Sequence, residues 1–124
     1  MAQKIRVLIA DDRPHSRDAL RALMATWPNV EVAGQAGDGR EAVQLLETSR
    51  PDVVLMDVRM PGMDGLAATR LIKERWPEVK VVILTMYPMH RKEALSAGAD
   101  AFLVKGCSTD ELLAAICGPA EAEK

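Results

Sequence analysis

The sequence predicts an α/β fold: a doubly wound five-stranded parallel sheet with helices on both faces. Short apolar runs alternate strictly with stretches of helical spacing, which is typical of parallel sheets with right-handed crossovers. The third and fourth apolar runs are almost unbroken Val, Ile and Leu, as expected for strands covered on both sides. The length of 124 residues suits one domain with a single core.

Five apolar runs have the length of β-strands. They are IRVLIA (5–10), VEVAGQA (30–36), DVVLMD (52–57), VKVVILT (79–85) and AFLVK (101–105). Helical spacing fills the intervals, so each strand is expected to be followed by a crossover helix.

The first two helices carry clear start and stop signals. Pro14 suits the first turn of the first helix, whose apolar stripe continues through Leu20, Leu23, Met24 and Trp27. The second helix is predicted over about 39–49 and ends before Pro51, because the residue preceding a proline avoids helical angles.

The remaining three helices are predicted over about 65–76, 88–97 and 109–117. Gly98 ends the fourth helix, and Thr109 is the expected N-cap of the fifth. Trp27 and Trp76, each followed by proline, are expected to pack on the core.

Composition excludes several functional classes. The formal net charge is -2, from 16 basic and 18 acidic residues, so the composition has no excess of positive charge that would bind nucleic acid or an anionic membrane. Cys107 and Cys117 are the only two cysteines and have no metal-ligand or redox spacing, so both are expected to be spare thiols. No signal peptide and no apolar run of about 20 residues is present, so a cytoplasmic location is expected.

Five polar residues fall where predicted strands end: Asp11, Asp12, Asp57, Thr85 and Lys105. In open parallel sheets the reactive crevice lies beyond the carboxyl ends of the strands. Three carboxylates meeting there repel one another, and a hard divalent cation such as Mg²⁺ accepts such an all-oxygen site. Asp11 and Asp12 are therefore expected to hold a metal ion, directly or through water.

Asp57 is the candidate nucleophile. A carboxylate attacks phosphorus when a metal ion and a cation neutralise the phosphoryl oxygens. Lys105 would supply that cation, and the Thr85 hydroxyl would donate to a phosphoryl oxygen.

Taken singly, several polar residues have simpler roles. Asp12 precedes Pro14 and is a candidate helix cap, and Asp64 before Gly65 is better interpreted as a turn and cap than as a ligand. Lys105 on its own would be a solvated charge. His15 and His90 each stand alone and are expected to be surface residues.

These residues, in this order, resemble the receiver domain of two-component response regulators. The likeness lies in DD (11–12), MDVRMPGMDG (56–65), LT (84–85) and GADAFLVK (98–105), and it covers essentially the whole chain. It implies the flavodoxin-like strand order 2-1-3-4-5. It also implies a signalling domain, not an enzyme, that assists its own aspartyl phosphorylation and dephosphorylation.

The resemblance assigns roles to the site. It implies that the phosphohistidine of a sensor histidine kinase phosphorylates Asp57. Mg²⁺ (or Mn²⁺) would be held by Asp12, Asp57 and the backbone carbonyl of Arg59, with Asp11 assisting through water.

The resemblance also implies roles for three residues beyond the carboxylates. Thr85 and Lys105 would bind the phosphoryl group, and Phe102 would occupy the aromatic switch position. From its strand pattern alone, Phe102 is a core side chain.

The chain departs from the general family pattern around the acceptor. Gly106 follows Lys105 where many receivers have proline. A cis peptide bond is usual at this position in receivers, but it is costly before a residue other than proline. Met86 stands where a small residue is common, and Arg59 and Tyr87 are bulky neighbours of Asp57. We expect these departures to alter the hydrolysis rate of the acyl phosphate.

The segments VLIADDRP (7–14) and DVVLMDVRMPGMDGLAATR (52–70) are most similar to the NarL/FixJ subfamily, whose receivers precede a LuxR-type helix-turn-helix. Residues 1–118 are expected to form the receiver and 119–124 a linker or tail. Either a DNA-binding part is missing, which we favour, or the chain is a stand-alone receiver acting through protein contacts. DNA contact is expected only through that output domain, and a phosphorylation-dependent homodimer is a further expected partner.

Three rival classes fit less well. Haloacid dehalogenase-type phosphatases need an Asp two residues after the nucleophile, where Arg59 stands. A pseudo-receiver would not need the complete set of acidic pair, acceptor, Thr and Lys. A flavin-binding protein would need a phosphate loop after the first strand, which is lacking.

Overall fold

The computed structural model describes residues 3–118 and gives five strands alternating with five helices. The elements are β1 Ile5–Ala10, α1 Pro14–Met24, β2 Val30–Ala36, α2 Gly39–Ser49, β3 Val53–Met56, α3 Gly65–Arg75, β4 Lys80–Thr85, α4 Arg91–Ser96, β5 Ala101–Val104 and α5 Thr109–Cys117. A short 3₁₀ turn, Pro88–His90, precedes α4. The expected linker at 119–124 lies outside the described residues.

The strands form one parallel sheet in the order β2-β1-β3-β4-β5. This confirms the predicted doubly wound α/β fold and its flavodoxin-like strand order. Because β3 lies in the middle, with β1 and β4 on either side, the strands that precede Asp11, Asp57 and Met86 are neighbours. The fold therefore brings three loops together at one edge.

Alternate residues of each central strand pack on opposite faces of the sheet. On one face, Leu8, Val54 and Val81 belong to a core that also contains side chains of α2 and α3. On the other face, neighbouring residues such as Val7 and Val82 pack with side chains of α1 and α5. Both faces are covered, which explains why these strands are apolar at every position and not only at alternate ones.

The ends of several elements differ from the sequence-based expectation. The α1 helix ends at Met24, so Trp27 lies in the following turn, although its ring still packs against the core. Trp76 likewise packs against the core, but it follows α3 as the C-cap. The 3₁₀ turn replaces the predicted start of the fourth helix, because His90 has ψ near 3° and interrupts the helical geometry.

The predicted N-cap of α5 is wrong by one residue. Ser108, not Thr109, caps the helix: its hydroxyl accepts from the Glu111 N–H at 3.0 Å, and the Glu111 carboxylate accepts from the Ser108 N–H at 3.0 Å. This reciprocal arrangement is a capping box. The spacing of Ser108 and Glu111 carried that signal in the sequence.

Candidate functional site

Three polar residues directly beyond the strand ends are anchored by backbone hydrogen bonds to neighbouring strands. The Asp11 N–H donates to the Ala36 carbonyl at 3.0 Å, the Asp57 N–H to Ala10 at 2.9 Å, and the Lys105 N–H to Thr85 at 2.8 Å. Each of these carbonyl groups belongs to the last residue of its strand. The bounds of β1 and β2 are as predicted, whereas β3, β4 and β5 are each shorter by one or two residues. The backbones of all three polar residues are held at the carboxyl edge of the sheet.

The carboxylates of Asp11, Asp12 and Asp57 form a cluster. One oxygen from each lies within 4.8 Å of the others. Asp11 and Asp57 are buried, with 2% and 8% of their surface exposed, whereas Asp12 is exposed. The structure therefore brings together the acidic trio that the sequence predicts, with one member open to solvent.

Lys105 joins two of these carboxylates. Its Nζ donates to Asp11 Oδ2 at 2.7 Å and to Asp57 Oδ2 at 3.1 Å. Burial of the ammonium works to lower the pKa of Lys105, but the hydrogen bonds and charges of the two carboxylates outweigh it, so the pKa is raised above its ordinary value. Lys105 is therefore a firmly charged partner of the Asp57 carboxylate, not a solvated surface residue.

The remaining hydrogen bonds orient the two buried carboxylates. Asp57 Oδ1 accepts from the Val58 N–H at 2.7 Å, and Asp11 Oδ1 accepts from the Arg13 N–H at 2.9 Å. Arg13 is also the N-cap residue of α1, and no side chain caps that helix. Asp12 therefore does not serve as the α1 cap, and its carboxylate remains at the open side of the cluster.

Thr85 is the last residue of its strand at this edge, whereas Phe102 lies inside β5. Thr85 ends β4 and is fully buried, and its Oγ1 accepts from the Tyr87 N–H at 3.3 Å. The hydroxyl proton is left to donate elsewhere. Phe102 is 9% exposed and belongs to the core on the α2 and α3 side of the sheet. Its position fits the core role expected from the strand pattern, and its role as a switch stays a prediction.

A cleft of about 150 Å³ opens above Asp57. Its walls are formed by Asp12, Arg13, Asp57, Arg59, Met86, Tyr87 and Lys105. Arg13 was not among the residues predicted from sequence, although it directly follows the acidic pair. Its guanidinium lies 3.7 Å from the sulfur of Met86, so the two side chains meet across the mouth of the cleft.

The loop after Asp57 is fixed by a turn and a cap. Asp64 Oδ1 accepts from the Ala67 N–H at 2.8 Å, which confirms Asp64 as the α3 cap. The Gly65 N–H donates to the Val58 carbonyl at 2.7 Å, and a side chain on Gly65 would collide with the Asp57 carbonyl. Glycine is needed here because the loop folds back tightly on the Asp57 backbone.

The segment after Lys105 also needs glycine. Gly106 has φ of 98°, a conformation that residues with side chains rarely adopt. No cis peptide bond occurs within residues 3–118, so the Lys105–Gly106 bond is trans.

The two histidines differ in burial. His15 is exposed, as expected. The His90 side chain is only 19% exposed, and its Nδ1 lies 3.0 Å from Glu93 Oε1, so His90 is more covered than the expected surface position implies. Neighbouring aromatic packing, which the sequence did not reveal, covers this ring.

The fold and the site define a small α/β domain with an acidic cluster and a lysine at the carboxyl edge of its sheet. The family model for the response regulator receiver domain matches residues 7–117. The chain belongs to the response regulator receiver domain family, whose members are signalling domains.

Individual relatives indicate the subfamily. The chain is 38% identical over 122 residues to an uncharacterized transcriptional regulatory protein, YxjL of Bacillus subtilis, covering 97% of this chain and 56% of the relative. A LuxR family two-component response regulator from Aurantimonas is similar in structure, with 32% identity, a TM-score of 0.84, and coverage of 90% of this chain and 81% of that one. A LuxR family DNA-binding response regulator from Staphylococcus aureus also has a TM-score of 0.84, with 30% identity and coverage of 91% and 96%.

These comparisons confirm the resemblance to LuxR-type response regulators. The chain spans about half the length of the curated relatives it matches. Among residues 3–118, no helix combines the length and apolar character needed to cross a bilayer.

Proposed function

We propose that Asp57 accepts a phosphoryl group from the phosphohistidine of a sensor histidine kinase. The observation that carries this proposal is the contact of 3.1 Å between Asp57 and Lys105 within a cluster of three carboxylates. A surface carboxylate would have neither the partly buried cation nor the acidic neighbours. The family membership supports the same role.

The donor set supports a divalent metal ion at this edge. Three carboxylates against one ammonium leave two negative charges at the cluster. All nearby donors are oxygens, the kind that Mg²⁺ or Mn²⁺ prefers. Asp12, Asp57 and the Arg59 carbonyl would hold the ion, with Asp11 assisting through water, and the bound ion would neutralise phosphoryl oxygens.

The residues of the chain would position the reaction. A carboxylate oxygen of Asp57 forms a bond to phosphorus, the P–N bond of the phosphohistidine breaks, and its electron pair returns to the imidazole. Lys105 is placed to bind a phosphoryl oxygen because its ammonium already contacts Asp57. The Thr85 hydroxyl, whose proton is free, would donate to a second oxygen.

The output would pass through the face formed by α4, β5 and α5. Four large apolar side chains are exposed within the described residues, and all lie between the end of β4 and the end of β5: Met86, Met89, Leu95 and Val104. We propose that phosphorylation changes this face and so controls a LuxR-type DNA-binding domain or a homodimer. The curated relatives that are transcriptional regulators support the first output. The cytoplasmic location and the receiver boundary at residue 118 stay predictions.

The direct test is reaction with acetyl phosphate and Mg²⁺, followed by intact mass measurement. We expect the wild type to gain about 80 Da, and Asp57→Asn to gain nothing. Asp64→Asn is the matched control, because asparagine also caps helices well and the substitution removes one carboxylate from the same loop. An equal gain in Asp57→Asn would refute the proposal.

A further inference from the structure

A chain of three contacts connects the acceptor cleft to α4. It starts at Arg59, two residues after Asp57, whose guanidinium lies 3.7 Å from the centre of the Tyr87 ring. Both residues line the cleft above Asp57. The loops that follow β3 and β4 are therefore joined at their tips by one cation–π contact.

Tyr87 in turn packs on His90. The two rings are 6.1 Å apart at an angle of 77°, an edge-to-face arrangement. His90 is the N-cap residue of α4, and its Nδ1 lies 3.0 Å from Glu93 in the first turn of that helix. The contacts run without a gap from the cleft to the start of α4.

The second ring nitrogen of His90, Nε2, has no hydrogen bond in this arrangement of residues 3–118. The same atom is buried. Buried polar atoms in proteins nearly always have a partner. The His90 ring would therefore gain from a rearrangement that gives this nitrogen a partner or exposes it to water.

Arg59 has a stronger partner once Asp57 is phosphorylated. The planar guanidinium can donate two parallel hydrogen bonds to phosphoryl oxygens. Such charge-assisted hydrogen bonds are stronger than a cation–π contact at an exposed site. Arg59 is exposed, so the core of the domain does not hold its side chain in the contact with Tyr87. The same arginine cannot hold the Tyr87 ring and the phosphoryl group equally well.

We propose that Arg59 senses the phosphoryl group and relays its presence to α4 through Tyr87 and His90. Without phosphate, Arg59 stacks on Tyr87 and holds the 3₁₀ turn and the first turn of α4. With phosphate, Arg59 binds the phosphoryl oxygens, Tyr87 loses its partner, and this segment loosens. The relay rests on the proposed phosphorylation of Asp57, and it is separate from Thr85 and Phe102.

The first test measures amide hydrogen exchange with fluoroberyllate and Mg²⁺ as the phosphoryl probe. In the wild type, exchange over residues 86–96 should become about twofold to fivefold faster when the probe binds. In Arg59→Ala, exchange over the same residues should be fast already, and the probe should add little. Tyr87→Leu should behave like Arg59→Ala, because it removes the other partner of the same contact.

Arg75→Ala is the matched control. Arg75 also stacks on a ring, 4.6 Å from the centre of Trp76, but it ends α3 and does not line the cleft. This variant should respond to the probe like the wild type. A response of Arg59→Ala equal to that of the wild type would overturn the relay.

The second test measures the affinity for fluoroberyllate by calorimetry. Arg59→Ala should bind about tenfold more weakly, and Arg59→Lys should fall between, because lysine keeps the charge but lacks the planar fork. Equal affinities of Arg59→Ala and the wild type would also overturn the relay. If acetyl phosphate adds mass at Asp57 while these variants match the wild type, only the relay fails; without added mass, the proposed function itself fails.

Discussion

Neutralising Asp12 should make the chain more stable when no metal ion is present. Asp12 contributes one negative charge within 4.8 Å of two others, and it is the member of the trio that Lys105 does not contact. The substitution Asp12→Asn removes two repulsive pairs and keeps the size of the side chain. It therefore isolates the electrostatic cost of assembling the site.

The magnitude follows from the distance and the exposure. At about 4.8 Å, each pair costs ~3.5 kcal/mol with an effective dielectric of ~20 and ~0.9 kcal/mol with the dielectric of water. Asp12 is exposed, so the lower value applies more closely, and two pairs sum to about 2 kcal/mol. The attraction between Asp12 and the Lys105 ammonium in the same cluster offsets up to about 1 kcal/mol of this before screening by salt. We expect Asp12→Asn to raise the free energy of unfolding by about 1–2 kcal/mol without metal.

The assay is urea or thermal unfolding, with a chelator and then with millimolar Mg²⁺. Without metal, the melting temperature of Asp12→Asn should exceed that of the wild type by about 3–8 °C. Mg²⁺ should raise the melting temperature of the wild type, because binding to the folded state stabilises it, and should do so much less in the variant.

The control is Asp18→Asn, which removes one exposed negative charge from α1 that pairs only weakly with Arg21, at 3.9 Å. It should change the stability by less than about 0.5 kcal/mol and leave the response to Mg²⁺ intact. Repulsion within the trio is ruled out as a cost if Asp12→Asn is less stable than the wild type without metal. Equal stabilisation of both proteins by Mg²⁺ would rule out Asp12 as a ligand.

Three further substitutions probe other parts of the molecule. Because the pKa of Lys105 is raised, its ion pairs stabilise the fold fully below the lysine pKa of the unfolded chain, and this stability is lost as pH rises through the lysine pKa of the folded chain. Lys105→Met should therefore reduce the loss of stability that unfolding experiments measure above about pH 10. An unchanged slope of stability against pH would show that the ion pairs contribute nothing. Gly65→Ala should lower the free energy of unfolding by about 2–4 kcal/mol and slow phosphorylation by acetyl phosphate, since the added methyl group displaces the Asp57 carbonyl. A variant with the stability and the phosphorylation rate of the wild type would argue against the tight loop. Ser108→Ala should cost about 1 kcal/mol in urea unfolding by removing the capping box with Glu111, whereas Thr109→Ala should cost much less; the reverse order would contradict the observed cap.

Much of the site could be predicted because the parallel sheet brings the carboxyl ends of its strands to one edge. A carboxylate at the end of one buried strand and a lysine at the end of another lie on the same edge when both strands are parallel in one sheet, and the long lysine side chain reaches Asp57 past the intervening β4. The residues themselves carried the signal, since Asp57 and Lys105 each end an apolar run. The backbone bonds that fix them to Ala10 and Thr85 follow from the same parallel pairing.

The contacts between loops could not be predicted in the same way. Arg59 and Tyr87 are separated by a helix and a strand, and their stacking depends on the conformations of two loops, not on any periodicity. The partial burial of His90 has the same origin, because Tyr87 covers it. Patterns with periods of two or 3.6 residues describe strands and helices and contain no information about where loop side chains turn.

The proposed signalling role depends on the buried carboxylate of Asp57, paired with Lys105, carrying the phosphoryl group. The decisive measurement is peptide mapping by mass spectrometry after reaction with acetyl phosphate and Mg²⁺, with fragmentation to locate the added mass. We expect the added mass on Asp57 and on no other acidic or histidine side chain. Added mass on Asp12, Asp64 or His15 with Asp57 unmodified would show that a different residue is the acceptor.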